Sequence, residues 1–213
     1  MKRRKDIAPI IDWFQKNMPN PESELHYKDT FSLLVAVVLS AQCTDKRVNM
    51  VTPALMERFP TAAAMAEATA EEIFPYIQSV TYPNNKSKHL AGMARMVQET
   101  YDGKIPTTAE ELQKLPGVGR KTAHVIASVA FDAPLIAVDT HVFRISRRLG
   151  LSDGTTPLAV EKDLNDHFPP QLRAKAHHWL ILHGRYVCTA RKPKCDKCGL
   201  APYCDTYNKE NKL

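Results

Sequence analysis

The chain has 213 residues and a formal net charge of +6, from 29 lysines and arginines against 23 aspartates and glutamates. Hydrophobic residues make up 44% and charged residues 24%, which excludes wholesale disorder and supplies enough apolar side chains for one or two cored domains. The longest apolar run, Phe31–Ala41, is broken by Ser32 and Ser40 and is too short to cross a bilayer. The basic start Met1-Lys2-Arg3-Arg4-Lys5 is followed by Asp6, Pro9 and Asp12 instead of an apolar core, so secretion is not expected either.

The elements read, in chain order, as helix after helix. Ile7, Ile10, Ile11, Trp13 and Phe14 recur at helical spacing within 6–18. Residues 31–41 are apolar on all sides and predict a buried helix, and 44–59 predict another with Thr44 as N-cap. Shorter helices are expected near 61–67, 70–79 and 86–101. Thr107 or Thr108 opens a helix running to Leu115, with Glu110 and Glu111 favouring its N-terminal dipole. Further helices are expected at 120–131, 140–148, 157–167 and 171–186. The best strand candidates are Val125–Ala127 and Leu135–Val138, both short. The pattern predicts an all-α chain with a domain boundary at Asp132-Ala133-Pro134.

Charge is concentrated at the ends. Residues 1–5 carry four bases and no acid, and residues 185–213 carry seven bases against three acids, which leaves the intervening stretch slightly acidic. That distribution suits a polyanion-binding edge, with solvated tails as the competing reading.

Four of the five cysteines, Cys188, Cys195, Cys198 and Cys204, fall in 17 residues with the spacing C-x6-C-x2-C-x5-C, while Cys43 stands alone. Four thiols this dense point to one metal or cluster centre instead of a secreted disulfide framework. Zinc and a [4Fe–4S] cluster both accept four cysteines. The single C-x2-C favours iron–sulfur, because zinc sites usually show two such knuckles. A metal-free thiol-rich tail is the third reading. Arg191, Lys192 and Lys194 inside the first loop would offset thiolate charge and face phosphates.

Residues 112–124 read Leu-Gln-Lys-Leu-Pro-Gly-Val-Gly-Arg-Lys-Thr-Ala-His. A helix ends near Leu115, Gly117-Val118-Gly119 turns tightly, and a second helix opens at Arg120. Glycines there leave free N–H groups at a helix N-terminus, which bind a phosphate without reading sequence. Eighteen residues after Lys121 comes Val138-Asp139-Thr140-His141, where Asp139 caps the next helix in the simplest reading.

These residues resemble the endonuclease III-type DNA glycosylases of the helix-hairpin-helix superfamily. The resemblance rests on Leu39-Ser40-Ala41-Gln42 with Thr44-Asp45, the hairpin 115–123, Val138–His141, Trp179–Arg185 and the four-cysteine loop, and it spans nearly the whole chain. It implies two all-α lobes: a helical barrel at 23–132, and a discontinuous lobe of 1–22 with 133–213 that ends in a [4Fe–4S] loop. A DNA groove would run between them, with Lys121 and Asp139 on facing walls. It implies a base excision repair enzyme that removes oxidised pyrimidines from duplex DNA and also cuts abasic sites. Lys121 would be the amine nucleophile, Asp139 its carboxylate partner, and Cys188, Cys195, Cys198 and Cys204 the cluster ligands. Gln42 would fill the space left by the flipped nucleotide, the hairpin residues Gly117, Val118, Gly119 and Arg120 would hold a phosphate, and His141 and Arg144 would serve the phosphates or the pocket. A monomer in the cytoplasm, at the nucleoid, is the expected setting. In one place the chain departs from the family: the loop before the 86–101 helix often holds Gly and an apolar wedge, but here it reads Thr81-Tyr82-Pro83. Tyr82 would take the wedge role on an altered backbone.

Two alternatives differ in class. An adenine-excising mismatch glycosylase would need a carboxylate in 31–42 and lacks a lysine at the position of Lys121; here position 36 is Ala36 and the segment has no acid. A passive hairpin module would bind DNA around a structural cluster without chemistry.

Overall fold

A computed structural model of the chain describes residues 6–210, so the basic residues Lys2, Arg3, Arg4, Lys5 and Lys212 lie outside the described part. Among the described residues there are helices and turns but no strand, and the fold is all-α. The chain divides into two compact units: Ser23–Ala133, and the chain up to Glu22 joined with the chain from Pro134 onward.

Helix α1 (Ala8–Asn17) belongs to the discontinuous unit. The continuous unit then builds α2 (Thr30–Ser40), α3 (Asp45–Arg58), α4 (Ala62–Ala66), α5 (Ala70–Ile77), α6 (Pro83–Thr100), α7 (Ala109–Leu112) and α8 (Arg120–Phe131). Every residue from Phe31 to Leu39 is buried, because α3, α6 and α8 all pack on α2. Asp29 opens α2 with a reciprocal cap: its carboxylate accepts from Ser32 N (2.8 Å) while Ser32 Oγ accepts from Asp29 N (2.9 Å). Thr44, Thr61, Thr69 and Thr108 cap α3, α4, α5 and α7 through their hydroxyls.

Three sequence expectations change. The helix expected to reach Leu115 stops at Leu112, because Lys114 N and Leu115 N bond three residues back, tightening the chain into the turn at Pro116. Val125–Ala127 lies inside α8. Leu135–Val138 forms no strand; Ile136, Ala137 and Val138 are buried, and the carbonyl of Ala137 accepts from His177 Nδ1 (2.9 Å).

The discontinuous unit continues with α9 (Thr140–Leu149), α10 (Pro157–His167), α11 (Arg173–Tyr186) and α12 (Asp205–Glu210), and α10, α11 and α12 each pack against α9. Phe14 of α1 stacks on Trp179 of α11 with ring centroids 5.4 Å apart, and Trp179 Nε1 donates to Met18 O (2.7 Å). That pair welds the N-terminal helix to the C-terminal half of the unit.

Candidate functional site

The hairpin turns through Pro116–Gly119 between α7 and α8. Gly117 has φ +78°, and a Cβ there would lie 2.8 Å from His89 Cβ, so only glycine fits. Gly119 is the N-cap of α8, with φ −83° and no side-chain cap, and nothing lies within 4 Å of where its Cβ would be. The opening N–H groups of α8 are therefore left without a capping side chain beside an open approach, which is the arrangement an anion takes. Val118 differs from its expected part. Its side chain is buried and its N–H donates to Leu115 O (3.0 Å), so it holds the turn together and presents no donor.

Lys121 and Arg120 are exposed in the first turn of α8, while Thr122, Ala123 and His124 just beyond them are buried. The amine is thus carried on a helix whose other face is anchored in its unit. Asp139 opens α9 as N-cap. Its Oδ1 accepts from both His141 N and Val142 N at 2.8 Å, which fixes the carboxylate plane. The side chain is half-buried.

Gln42 and Tyr82 occupy two loops of the continuous unit. Both are exposed, and both have left-handed backbones, at φ 54° and φ 53°. Neither is glycine, so both carry local strain. Tyr82 is the residue before α6, and Pro83 follows as its first helical residue, which reconciles the unusual Tyr-Pro pair with a helix start.

Arg144 is placed differently from a phosphate contact. Its guanidinium donates to Cys188 O (3.0 Å), Gly184 O (2.5 Å) and His141 Nδ1 (3.2 Å), so it braces α9 to α11 and to the cysteine loop. His141 is half-buried beneath it. Arg191, Lys192 and Lys194 are exposed on the loop between Cys188 and Cys195.

The four clustered cysteines line one cavity of about 90 Å³, with Ile145, Leu149 and Val187 among its apolar walls. None forms a disulfide. Among the described residues no group of His, Cys, Asp or Glu is gathered tightly enough for a single ion. A mononuclear zinc would draw four sulfurs to about 2.3 Å. The soft four-sulfur donor set around a larger cavity fits a polynuclear cluster. Burial and the neighbouring thiols push the Cys195 and Cys198 thiols up, so loading must displace their protons. Two further residues complete the surround. Arg148 donates to Cys188 Sγ (3.4 Å), Thr189 O (2.7 Å) and Ala190 O (2.9 Å). His183 Nε2 lies 3.3 Å from Cys198 Sγ, and burial pushes its imidazole down to about 4, so the ring is neutral at physiological pH.

Residues 35–170 match the HhH-GPD superfamily of base excision DNA repair proteins, and 188–204 match the iron–sulfur binding domain of endonuclease III. Endonuclease III of Rickettsia felis is 46% identical over 202 residues, covering 95% of each chain. That of Escherichia coli K12 is 41% identical over 200 residues, 94% of this chain and 95% of its own. A trapped endonuclease III–DNA covalent intermediate superposes with a TM-score of 0.91 at 42% identity, covering 99% of both chains. This chain belongs to the endonuclease III family.

As a member of that family it is a base excision repair DNA glycosylase with AP lyase activity and a [4Fe–4S] cluster, and the segment that matches the iron–sulfur binding domain contains Cys188, Cys195, Cys198 and Cys204. No helix among the described residues is long and apolar enough to cross a membrane. The adenine-excising alternative finds no acid in α2, whose residues from Phe31 to Leu39 are packed inside the unit.

Proposed function

We propose that the chain excises oxidised pyrimidines from duplex DNA, with Lys121 as nucleophile and Asp139 as its charge partner. What supports this is, in the continuous unit, an exposed amine fixed at the start of α8 and, in the discontinuous unit, a carboxylate held by two backbone N–H groups at the start of α9. Lys121, as the free amine, attacks C1′ of the extruded nucleotide; the C1′–N bond breaks and the base leaves, protonated on departure. The sugar ring opens and the C1′–Nζ bond becomes an imine. Loss of a C2′ proton then expels the 3′ phosphate, and water frees Lys121. Asp139 stabilises the positive charge that builds on the sugar as the base departs.

Gly117, Gly119 and Arg120 hold one backbone phosphate, and Gln42 and Tyr82 enter the duplex where the nucleotide has left. The [4Fe–4S] cluster staples a segment in which Leu200 is the only residue of 188–204 that is fully buried. Arg191, Lys192 and Lys194, exposed on that segment, meet phosphates. The enzyme acts as a monomer at the nucleoid.

Borohydride trapping tests the reading. Wild type incubated with a duplex bearing an oxidised pyrimidine should give a covalent protein–DNA adduct, and Lys121→Ala should give none. An adduct that persists in Lys121→Ala removes the nucleophile assignment. No adduct or base release from any oxidised pyrimidine removes the substrate class.

A further inference from the structure

Lys86 is 6% exposed, on the first turn of α6. Burying an ammonium is costly unless its donors are matched. Here all three are: Nζ donates to Leu39 O (2.8 Å), Ala41 O (2.8 Å) and Thr81 Oγ1 (3.2 Å). The first two acceptors are carbonyls at the C-terminus of α2, which that helix cannot satisfy internally and which lie at the negative end of its dipole. The third passes the link on, because Thr81 Oγ1 donates in turn to Gln42 O (3.0 Å). The chain Lys86–Thr81–Gln42 therefore joins residues 39–42 to residues 81–86 across some forty positions of sequence.

The two residues that flank this clip are Gln42 and Tyr82, the only non-glycine residues with left-handed backbones in the described parts of either loop. Strained conformations persist only where their surroundings over-determine them. Ala41, Gln42, Thr81 and Tyr82 are all exposed, so packing does not hold these loops; the hydrogen bonds from the buried Lys86 do.

We propose that Lys86 is a positioning residue for nucleotide extrusion: with Thr81 it locks the Gln42 and Tyr82 loops into one rigid element that enters the duplex as a unit. The inference rests on the reading of Gln42 and Tyr82 as duplex-entering residues. It assigns Lys86 no contact with DNA. Its effect is to keep two strained loops in one arrangement before the substrate arrives, so that the cost of ordering them is not met at the moment of extrusion.

The test compares single-turnover base release from two duplexes of one sequence, one with the oxidised pyrimidine opposite its normal partner and one with it inside a short mismatched bubble, where it is already unstacked. The variants are Lys86→Met, Thr81→Val, Gln42→Ala and Tyr82→Ala. Lys86→Met should be slowed about ten- to a hundredfold on the paired lesion and recover most of that loss on the bubble. Thr81→Val, which alters an exposed residue and leaves the lysine in place, should show the same pattern at about threefold. Equal slowing on both duplexes, or no slowing, in Thr81→Val and in any folded Lys86→Met would overturn the proposal, because a purely structural lysine would not distinguish the substrates. If Gln42→Ala and Tyr82→Ala show the bubble-dependent defect while the other two do not, the clip fails and the loop reading stands. If neither shows it, the loop reading itself falls, and the proposal with it.

Discussion

Asp139→Asn separates the two things that this carboxylate does. As N-cap it accepts two N–H groups on one oxygen, each at 2.8 Å. Asparagine keeps an oxygen in that place and is about as good a cap, so the cap bonds survive. What is lost is a unit of negative charge at the head of α9, worth about 0.3–1 kcal/mol against the helix dipole. The melting temperature should therefore fall by only about 1–4 °C. Asp139→Ala removes the acceptor as well and should cost about a further 1 kcal/mol. The chemistry responds to charge instead. Removing the group that opposes a developing cation should slow base release by about 10²–10⁴-fold in Asp139→Asn, equivalent to about 3–5.5 kcal/mol in the barrier. The rate loss should thus be nearly complete in Asn, while the stability loss is not. The assay is single-turnover base release with enzyme in excess, read beside melting curves and fluorescence anisotropy on undamaged duplex. Asp139→Asn that keeps its rate within about threefold of wild type would refute the catalytic role. A rate that falls only in Asp139→Ala, in step with its stability, would show that the carboxylate acts only through the cap.

The hairpin glycines should part company. Gly117→Ala combines φ +78° with a Cβ 2.8 Å from His89 Cβ and should lower the melting temperature, whereas Gly119→Ala meets nothing within 4 Å and should spare the fold while weakening anisotropy-measured binding to duplex. Cys198→Ser should purify with less than about four irons per chain, lose its yellow-brown colour and melt earlier; a colourless wild type with one zinc would contradict the cluster. Burial lowers the pKa of His178 below its ordinary 6.5, so the unfolded chain binds more protons than the folded one between the folded value and 6.5. His178 thus withdraws stability as pH falls through that window, and denaturant unfolding of His178→Gln should show a shallower acid slope there than wild type.

The fold was legible where one local signal decides the outcome. The mostly apolar run from Phe31 to Leu39 can only be interior, and Thr44 and Thr108 mark helix starts that the structure uses. Leu135–Val138 misled because burial and strand pairing share an apolar signature; the segment is buried without a partner strand. The cysteine site was legible because its four ligands lie within one short segment. Lys86 was not. It stands in Asn84-Asn85-Lys86-Ser87-Lys88, a polar run that reads as a solvent face, and its partners lie 45 and 47 residues away. Arg148 was hidden in the same way, as one of two adjacent arginines in α9: Arg147 is exposed, and Arg148 reaches the cysteine loop.

Within the discontinuous unit, the route from that loop to the carboxylate of Asp139 is a single helix. Asp139 caps α9, and from its second and third turns Arg144 and Arg148 donate to Cys188 O, Thr189 O and Ala190 O. A polar loop of seventeen residues with one fully buried side chain has little of its own to hold it in place. Gathering its thiols on one centre turns it into a rigid surface for the arginines of α9 to bond. Helices α10, α11 and α12 also pack on α9. On the function proposed above, the cysteines serve the chemistry without taking part in it, by fixing the helix whose first N–H groups orient Asp139. A carboxylate that must meet a developing charge with little reorganisation gains its rate from such fixing, so a polar segment with one fully buried side chain is also where the chain places four of its five cysteines.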